Sequence, residues 1–293
     1  MNTLSQQIIN GLSIGSVYAL IAVGYSLVYS ILLFSNFAHG GFLVIGGYIC
    51  YYALIKANVN IWAASAAALA GAGLCAVLVE RLAYRPIRER TSITLYMLIA
   101  SMGMSIVIEN LFVVTVGGRY KALPEVIPMK PVSVFGLATT SAFDILSLVT
   151  AVVFLIGLQL FLSKTKWGLA IRAASYNLRV TGLMGVNVNR LIAIVFFVAG
   201  MLAGVGGIFL SARYTLYPQL GGITTKAFVA AVIGGLGSLP GAVVGSLILG
   251  LAEMLTTGFL SSQYRDLIVF FLLIVTLIVR PAGLFGRSIG EKV

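Results

Sequence analysis

Charge is scarce in this chain: 19 Lys and Arg with 8 Asp and Glu make up 9 % of its 293 residues. A water-soluble domain carries about a quarter charged residues. This composition cannot clothe a water-facing surface, and a soluble fold is excluded. Acidic residues are the scarcer sign, leaving a formal net charge of +11. The basic residues sit between apolar runs, which reads as membrane topology signalling and not as a nucleic-acid surface. Cys50 and Cys75 lie in apolar segments without C-x-x-C spacing, and they read as buried, inert thiols. The one histidine, His39, has no second His or Cys near it in sequence, so no metal site is expected. The signatures GxSxG, HExxH and GxxxxGK[ST] are missing. With no carboxylate pair and base in an aqueous loop, neither enzyme chemistry nor a bound cofactor is expected. Residues 1–7 carry neither Lys nor Arg, so no ordinary signal peptide is expected and the first span reads as a retained anchor.

What the chain has is apolar length: 60 % hydrophobic residues and a mean hydropathy of +1.06. Runs of about 20 apolar residues cross about 30 Å of hydrocarbon. They fall at 8–34, from an interruption at 36–41 to 55, and at 61–79, 92–116, 145–162, 191–210, 227–255 and 267–279. The expected fold is an all-α polytopic membrane protein of about eight hydrophobic segments, in one transmembrane domain over 1–293. Glycine is plentiful, 33 residues. Gly11 and Gly15, and again Gly200, Gly204 and Gly207, form small-residue stripes that allow close helix approach.

Basic residues orient the segments. Four lie at 81–90, five at 164–190 and three in the tail from Arg280, twelve of the 19 in all. The positive-inside rule places those stretches in the cytoplasm and the 117–144 loop, with three prolines, outside. Parity then requires 226–255 to make no net crossing, as two short passes or a re-entrant hairpin around the GGLGSLPG break at 234–241. The front of the chain is also interrupted, by NFAHGG at 36–41. An offset of 195 residues lays Gly40 on Gly235, Gly46 on Gly241 and Arg85-Pro86 on Arg280-Pro281. A weak duplication and a chance match in a glycine-rich chain both account for this. Paired interrupted segments point to a translocation path.

Polar residues inside the spans carry two readings each. His39 stands at i+3 from Asn36 and either fixes the bend or meets cargo. Glu109 shares a helical face with Ser101 and Ser105, and Glu253 shares one with Ser246 and Thr257. Charge within a bilayer faces the bundle interior or a wet cavity, though Glu253 could equally sit near a span end and reach the interface.

The 164–190 stretch has five basic residues, no acidic one, and the pattern of a short amphipathic helix from Gly168. A loop with its own apolar positions has something to dock against. Here the residues reach a family resemblance. GLAIRA at 168–173, with Asn177 and GVN at 185–187, resembles the cytoplasmic coupling segment of ATP-binding-cassette importer permeases in the branched-chain amino acid branch. The first-span block from Asn10 to Gly24, the 36–48 block, the 234–241 block continuing to Gly245 and Glu253, and RPAGLFG at 280–286 are similar to that family in the same order. Leu169 stands where arginine is common, and Gly41 and Gly47 where Ser or Ala is usual.

The resemblance implies the shorter of two permease types in a bacterial inner-membrane importer, with both termini expected in the cytoplasm. Implied partners are a second related permease or second copy, two cytoplasmic ATPases that use the ATP, a periplasmic binding protein and membrane lipid, with no nucleic acid. The cargo implied is leucine, isoleucine, valine or a similar hydrophobic amino acid. Gly168, Ala170, Arg172, Ala173, Asn177 and Gly185 become the expected ATPase-coupling residues. Asn36, His39, Gly40, Glu109, Gly234, Gly235, Gly237 and Glu253 become the expected path or helix-break residues. Two other functions stay open: the same machinery carrying urea or a short amide, and an ion-coupled carrier or channel using Glu109 and Glu253.

Overall fold

The structure, a computed structural model, describes residues 3–91, 93–124, 131–134 and 138–286. Ser92, the expected start of one segment, lies outside the described residues, as do parts of the 117–144 loop and Arg287 and Lys292 of the tail. The apolar runs fold as helices because in hydrocarbon each backbone N–H and C=O must be satisfied within its own segment. They are α1 (Thr3–Leu32), α2 (His39–Ile55), α3 (Ile61–Val79), α4 (Arg85–Arg90), α5 (Thr94–Val116), α6 (Ala142–Lys164), α7 (Lys166–Tyr176), α8 (Leu178–Leu183), α9 (Val188–Tyr214), α10 (Thr224–Gly234), α11 (Leu239–Phe259) and α12 (Arg265–Val279). Among the described residues seven helical segments are long and apolar enough to cross a membrane, and α2 is a shorter apolar helix. The chain is an all-α polytopic membrane protein. One small antiparallel hairpin, β1 (Pro131–Val134) and β2 (Ala138–Ser141), pairs Pro131 with Ser141 in the loop before α6.

The 80–90 stretch, expected as a loop, is helical. A π-turn, Glu80–Tyr84, joins α3 to α4, giving one 30-residue helix over Ile61–Arg90. At 1.5 Å per residue it is about 45 Å long, so its arginine-rich end projects past the hydrocarbon while remaining helical.

The chain divides into two compact units. One comprises Leu27–Pro124 and Phe154–Thr224; its centre is α9 packed on α2 and α3. The backbones of Gly46 and Gly204 touch, so that a Cβ on Gly46 would fall 2.6 Å from Gly204 Cα. The glycine stripe is thus a packing seam. The other unit comprises Met1–Ser26, Glu125–Val153 and Thr225–Val293. Here α1 runs antiparallel to α11, with Gln7 beside Gly258, Gly11 beside Leu251 and Gly15 beside Ser246.

Burial separates central from peripheral helices. The most apolar stretch of α1 is 94 % buried and that of α9 67 %, against 6 % for the segment containing α12. A helix apolar all round belongs inside a protein or a membrane, and α12 presents Phe270, Phe271, Ile274 and Ile278 outward as a lipid-facing surface.

Two expectations are corrected. The 227–255 region is not two short helices: α11, at 21 residues, is about 31 Å long and is long and apolar enough to cross alone. The start of α1 and the 280–286 tail lie at opposite ends of α11. The start of α1 lies at the far end of α11, beside Gly258. The tail instead meets Ile233 and Gly234, next to the start of α11 at Gly241. The parity count failed because it gave α10 and α11 no net crossing together.

Candidate functional site

The polar segment between α6 and α9 is built by three caps and two glycines. Thr165 Oγ1 accepts from Gly168 N at 2.9 Å and starts α7. Asn177 Oδ1 accepts from Val180 N at 3.0 Å and starts α8. Asn187 Oδ1 accepts from Arg190 N at 3.0 Å and starts α9. Each replaces an orphan helix N–H partner, the usual task of an N-cap. Gly168 is buried against the last turn of α6, where a Cβ would collide with the carbonyls of Phe161 and Leu162. Gly185 ends α8 at φ +86°, a conformation glycine adopts without strain. Ile171 and Ala174 face inward. Leu169, Arg172, Ala173 and Tyr176 face outward, followed by Leu183 and Met184, each about 80 % exposed or near it at 81 % and 79 %. Ala170 is half-buried. Of the expected coupling residues, Gly168, Asn177 and Gly185 shape the segment, and Arg172 and Ala173 stand on its open face. The Arg172 guanidinium makes no bond to the described residues.

The front break, 33–38, is stapled from two sides. Asn36 Oδ1 accepts from Tyr84 OH at 2.7 Å, and Ser101 Oγ of α5 accepts from Phe37 N at 3.1 Å. Asn36 and His39 are each 1 % exposed. His39 is the first residue of α2, its ring edge-on to Phe42 at 6.1 Å. Gly40 meets the carbonyl of Gly221 in the 3₁₀ turn Pro218–Ile223.

The rear break is closed by the tail. After α10, Gly235 and Gly237 take φ of +107° and +84°, and Gly234 touches Gly241 of α11 through backbone alone. A helix end leaves unsatisfied carbonyls; here Leu284 N and Phe285 N donate to Ile233 O and Gly234 O, both at 2.9 Å. The RPAGLFG motif is the cap of α10. The offset that matched the two breaks does not match their geometry: Gly40 lies in the first turn of α2, whereas Gly235 follows the last turn of α10.

Ionisable groups gather at two places. In one unit Glu253, 0 % exposed, accepts from Tyr18 OH at 3.0 Å and Lys226 Nζ at 2.6 Å, with Arg265 Nε 3.5 Å away. Lys226 also reaches Asp266 at 2.8 Å. In the other unit Glu80, 1 % exposed, pairs with Arg88 Nη1 at 3.1 Å. Arg88 Nη2 donates to Asn189 Oδ1 at 2.7 Å. Asn189 Nδ2 in turn donates to Glu89 at 3.2 Å, which Arg85 pairs at 2.9 Å. Glu109 is half-buried on α5 and bonds to none of the described residues. Lys121 is held over the rings of Tyr48, Tyr51 and Tyr52 and donates to Tyr52 OH at 2.7 Å.

Comparison with known proteins places this architecture. The family described as the permease component of branched-chain amino acid transport systems matches residues 7–277. The chain belongs to that permease family. It is 39 % identical over 303 residues to BraD of Pseudomonas aeruginosa, a high-affinity branched-chain amino acid transport system permease protein, covering 98 % of this chain and 97 % of the relative. Identity to LivH of Escherichia coli, of the same description, is 39 % over 302 residues, with coverages of 98 % and 97 %. A probable branched-chain amino acid transport permease protein of Methanocaldococcus jannaschii is 28 % identical over 281 residues, covering 91 % and 88 %.

For a permease of this family the sequence reading missed Glu80, Arg88, Asn189, Lys226, Arg265 and Asp266. Glu80 was hidden in a stretch read as a basic loop. A usable signal was there: Tyr84 and Arg88 follow Glu80 at i+4 and i+8, the spacing of one helical face. Lys226, Arg265 and Asp266 stand at segment ends, where a charge ordinarily marks an interface.

Proposed function

We propose that this permease forms the translocation path for leucine, isoleucine, valine or a similar hydrophobic amino acid, and is driven by separate ATPases docked on α7 and α8. The observation that carries the reading is the outward face of that segment. It joins Arg172, a cation without a partner among the described residues, to exposed Leu169, Tyr176, Leu183 and Met184 on a frame pinned by three caps. A guanidinium fork reads carboxylates and carbonyls across a protein interface. The apolar neighbours supply area that water leaves on docking. Two ATPases, a second permease subunit, related or identical, and a periplasmic binding protein complete the assembly, in a bacterial inner membrane. ATP is bound and used by the ATPases and not by this chain, whose task is transport and not catalysis. Positive-inside orientation puts α7, α8 and the tail in the cytoplasm; the start of α1, at the opposite end of α11, then lies outside.

Reconstitution of the full assembly in proteoliposomes tests this. Leucine uptake is expected only with ATP, ATPases and binding protein together. Arg172→Glu is expected to abolish substrate-stimulated ATP hydrolysis while the protein stays folded and inserted. Uptake by the permease alone under an ion gradient would make it a carrier, and uptake of urea with no uptake of leucine would change the cargo. ATP-driven uptake at the normal rate in Arg172→Glu would remove Arg172 from the interface.

A further inference from the structure

A π-turn is an i→i+5 insertion in an α-helix, uncommon and frequent at functional positions. The turn Glu80–Tyr84 is closed by Arg85 N donating to Glu80 O. It holds two buried polar side chains that point to different neighbours. Its first residue, Glu80, binds Arg88, and the same guanidinium binds Asn189 at 2.7 Å. Asn189 is in the first turn of α9, two residues beyond the Asn187 cap that ends the α7–α8 segment. The last residue of the turn, Tyr84, is 0 % exposed and donates to Asn36 in the front break at 2.7 Å. Its ring lies between Phe34 of that break, at 5.4 Å, and Phe196 of α9, at 5.5 Å. Asn36 Nδ2 is buried and has no hydrogen-bond partner among the described residues, so the break holds a donor that a second arrangement could satisfy.

We propose that the Glu80–Tyr84 π-turn relays movement of the α7–α8 segment to the front helix break. Asn189, Arg88 and Glu80 form its receiving end, and Tyr84 and Asn36 its delivering end. The proposal rests on the reading that ATPases dock on α7 and α8. A π-turn carries one residue more than an α-turn, so sliding that extra residue along the helix rotates the side chains it passes by about 100°, just over a quarter of a turn. Such a slide needs no lost backbone bond overall. It would carry the Tyr84 hydroxyl off Asn36 and free the break. Glu80, Arg88, Asn189, Tyr84 and Asn36 are positioning residues here; none is assigned to touch cargo. Coupling of this kind travels through packed and hydrogen-bonded contacts that have two discrete arrangements.

The experiment uses the full assembly in proteoliposomes, reading ATP hydrolysis and leucine uptake separately. Tyr84→Phe removes one hydroxyl and keeps the ring, and Asn189→Ala removes one amide at the other end. Each is expected to lower leucine moved per ATP hydrolysed about fivefold or more, with membrane abundance and stimulated hydrolysis within about twofold of the wild type. The double variant is expected to be no worse than the poorer single one, because serial elements of one relay are not additive. An unchanged ratio in both single variants overturns the relay, as does loss of hydrolysis and uptake in equal proportion, which marks a purely structural role. If the wild-type assembly itself shows no ATP-dependent uptake, the docking reading fails and the relay with it. Wild-type uptake with an unaffected ratio in the variants defeats the relay alone.

Discussion

Glu80 and Glu253 are the two buried carboxylates among the described residues, 1 % and 0 % exposed, one in each compact unit. Their surroundings differ in kind. Glu253 sits in the regular helix α11 and is held by Tyr18, Lys226 and Arg265, from three other elements of its unit. Glu80 sits in a π-turn and pairs with one cation, Arg88, from the same continuous helix. A carboxylate fixed from three directions locks helices together. One fixed from along its own helix can move with that helix and keep its partner. Equal burial therefore comes in two settings: Glu253 is fixed from three elements of its unit, and Glu80 through one cation that also reaches Asn189 of α9.

Removing the partner of the more enclosed carboxylate should show the largest effect. Lys226→Ala leaves Glu253 buried with Arg265 at 3.5 Å as its remaining cation. Breaking a buried pair from one side costs about 3–5 kcal/mol because an uncompensated charge stays behind. A drop of that size is expected in chemical unfolding of the purified protein, with Glu253→Gln added to Lys226→Ala recovering part of it. No recovery in the double variant would mean that Lys226 packs and does not neutralise.

These residues also mark where the sequence stops being legible. Segment cores were readable, and α3 begins where the apolar run does, at Ile61, although its helix runs on past the end of that run to Arg90. The two interruptions and the amphipathic α7 were readable because glycine, proline and helical spacing are local signals. The partners of Glu253 were not: Tyr18 and Lys226 lie 235 and 27 residues away in sequence, and nothing local announces the pairing. The helicity of 80–90 was hidden for another reason. Arginine-rich composition is a topology signal and says nothing about whether the helix stops at the membrane edge. The tail motif was visible as a block, yet its use as a cap for α10 depends on two N–H groups meeting carbonyls about fifty residues earlier. The parity count could not see that α10 and α11 are unequal, since 11 residues of α10 make only about 16 Å of helix while α11 is long enough to cross alone.

A smaller loss is expected at the other carboxylate. Arg88→Gln keeps a donor for Asn189 while removing the charge opposite Glu80, and Arg88 is itself 13 % exposed. The glutamine amide can still donate a hydrogen bond to Glu80, whereas alanine at 226 leaves Glu253 no donor in that place, so the cost should fall to about 1–3 kcal/mol, the range for leaving a buried polar group poorly satisfied. If Arg88→Gln destabilises as much as Lys226→Ala, Glu80 is as locked as Glu253 and the contrast between the two units collapses.

The smallest effect is expected where the Glu253 cluster meets solvent. Asp266 bonds Lys226 at 2.8 Å but is 73 % exposed, and exposed ion pairs contribute about 0.2–1 kcal/mol. Asp266→Asn should therefore shift unfolding by no more than that, and the shift should shrink in high salt because surface pairs are screened. Lys226 keeps Glu253 at 2.6 Å either way. A loss comparable to that of Lys226→Ala, insensitive to salt, would show that Asp266 fixes the direction of the Lys226 side chain. The lock on Glu253 would then be a four-residue unit that begins at the surface, and the division between enclosed and exposed members of the cluster would have to be redrawn.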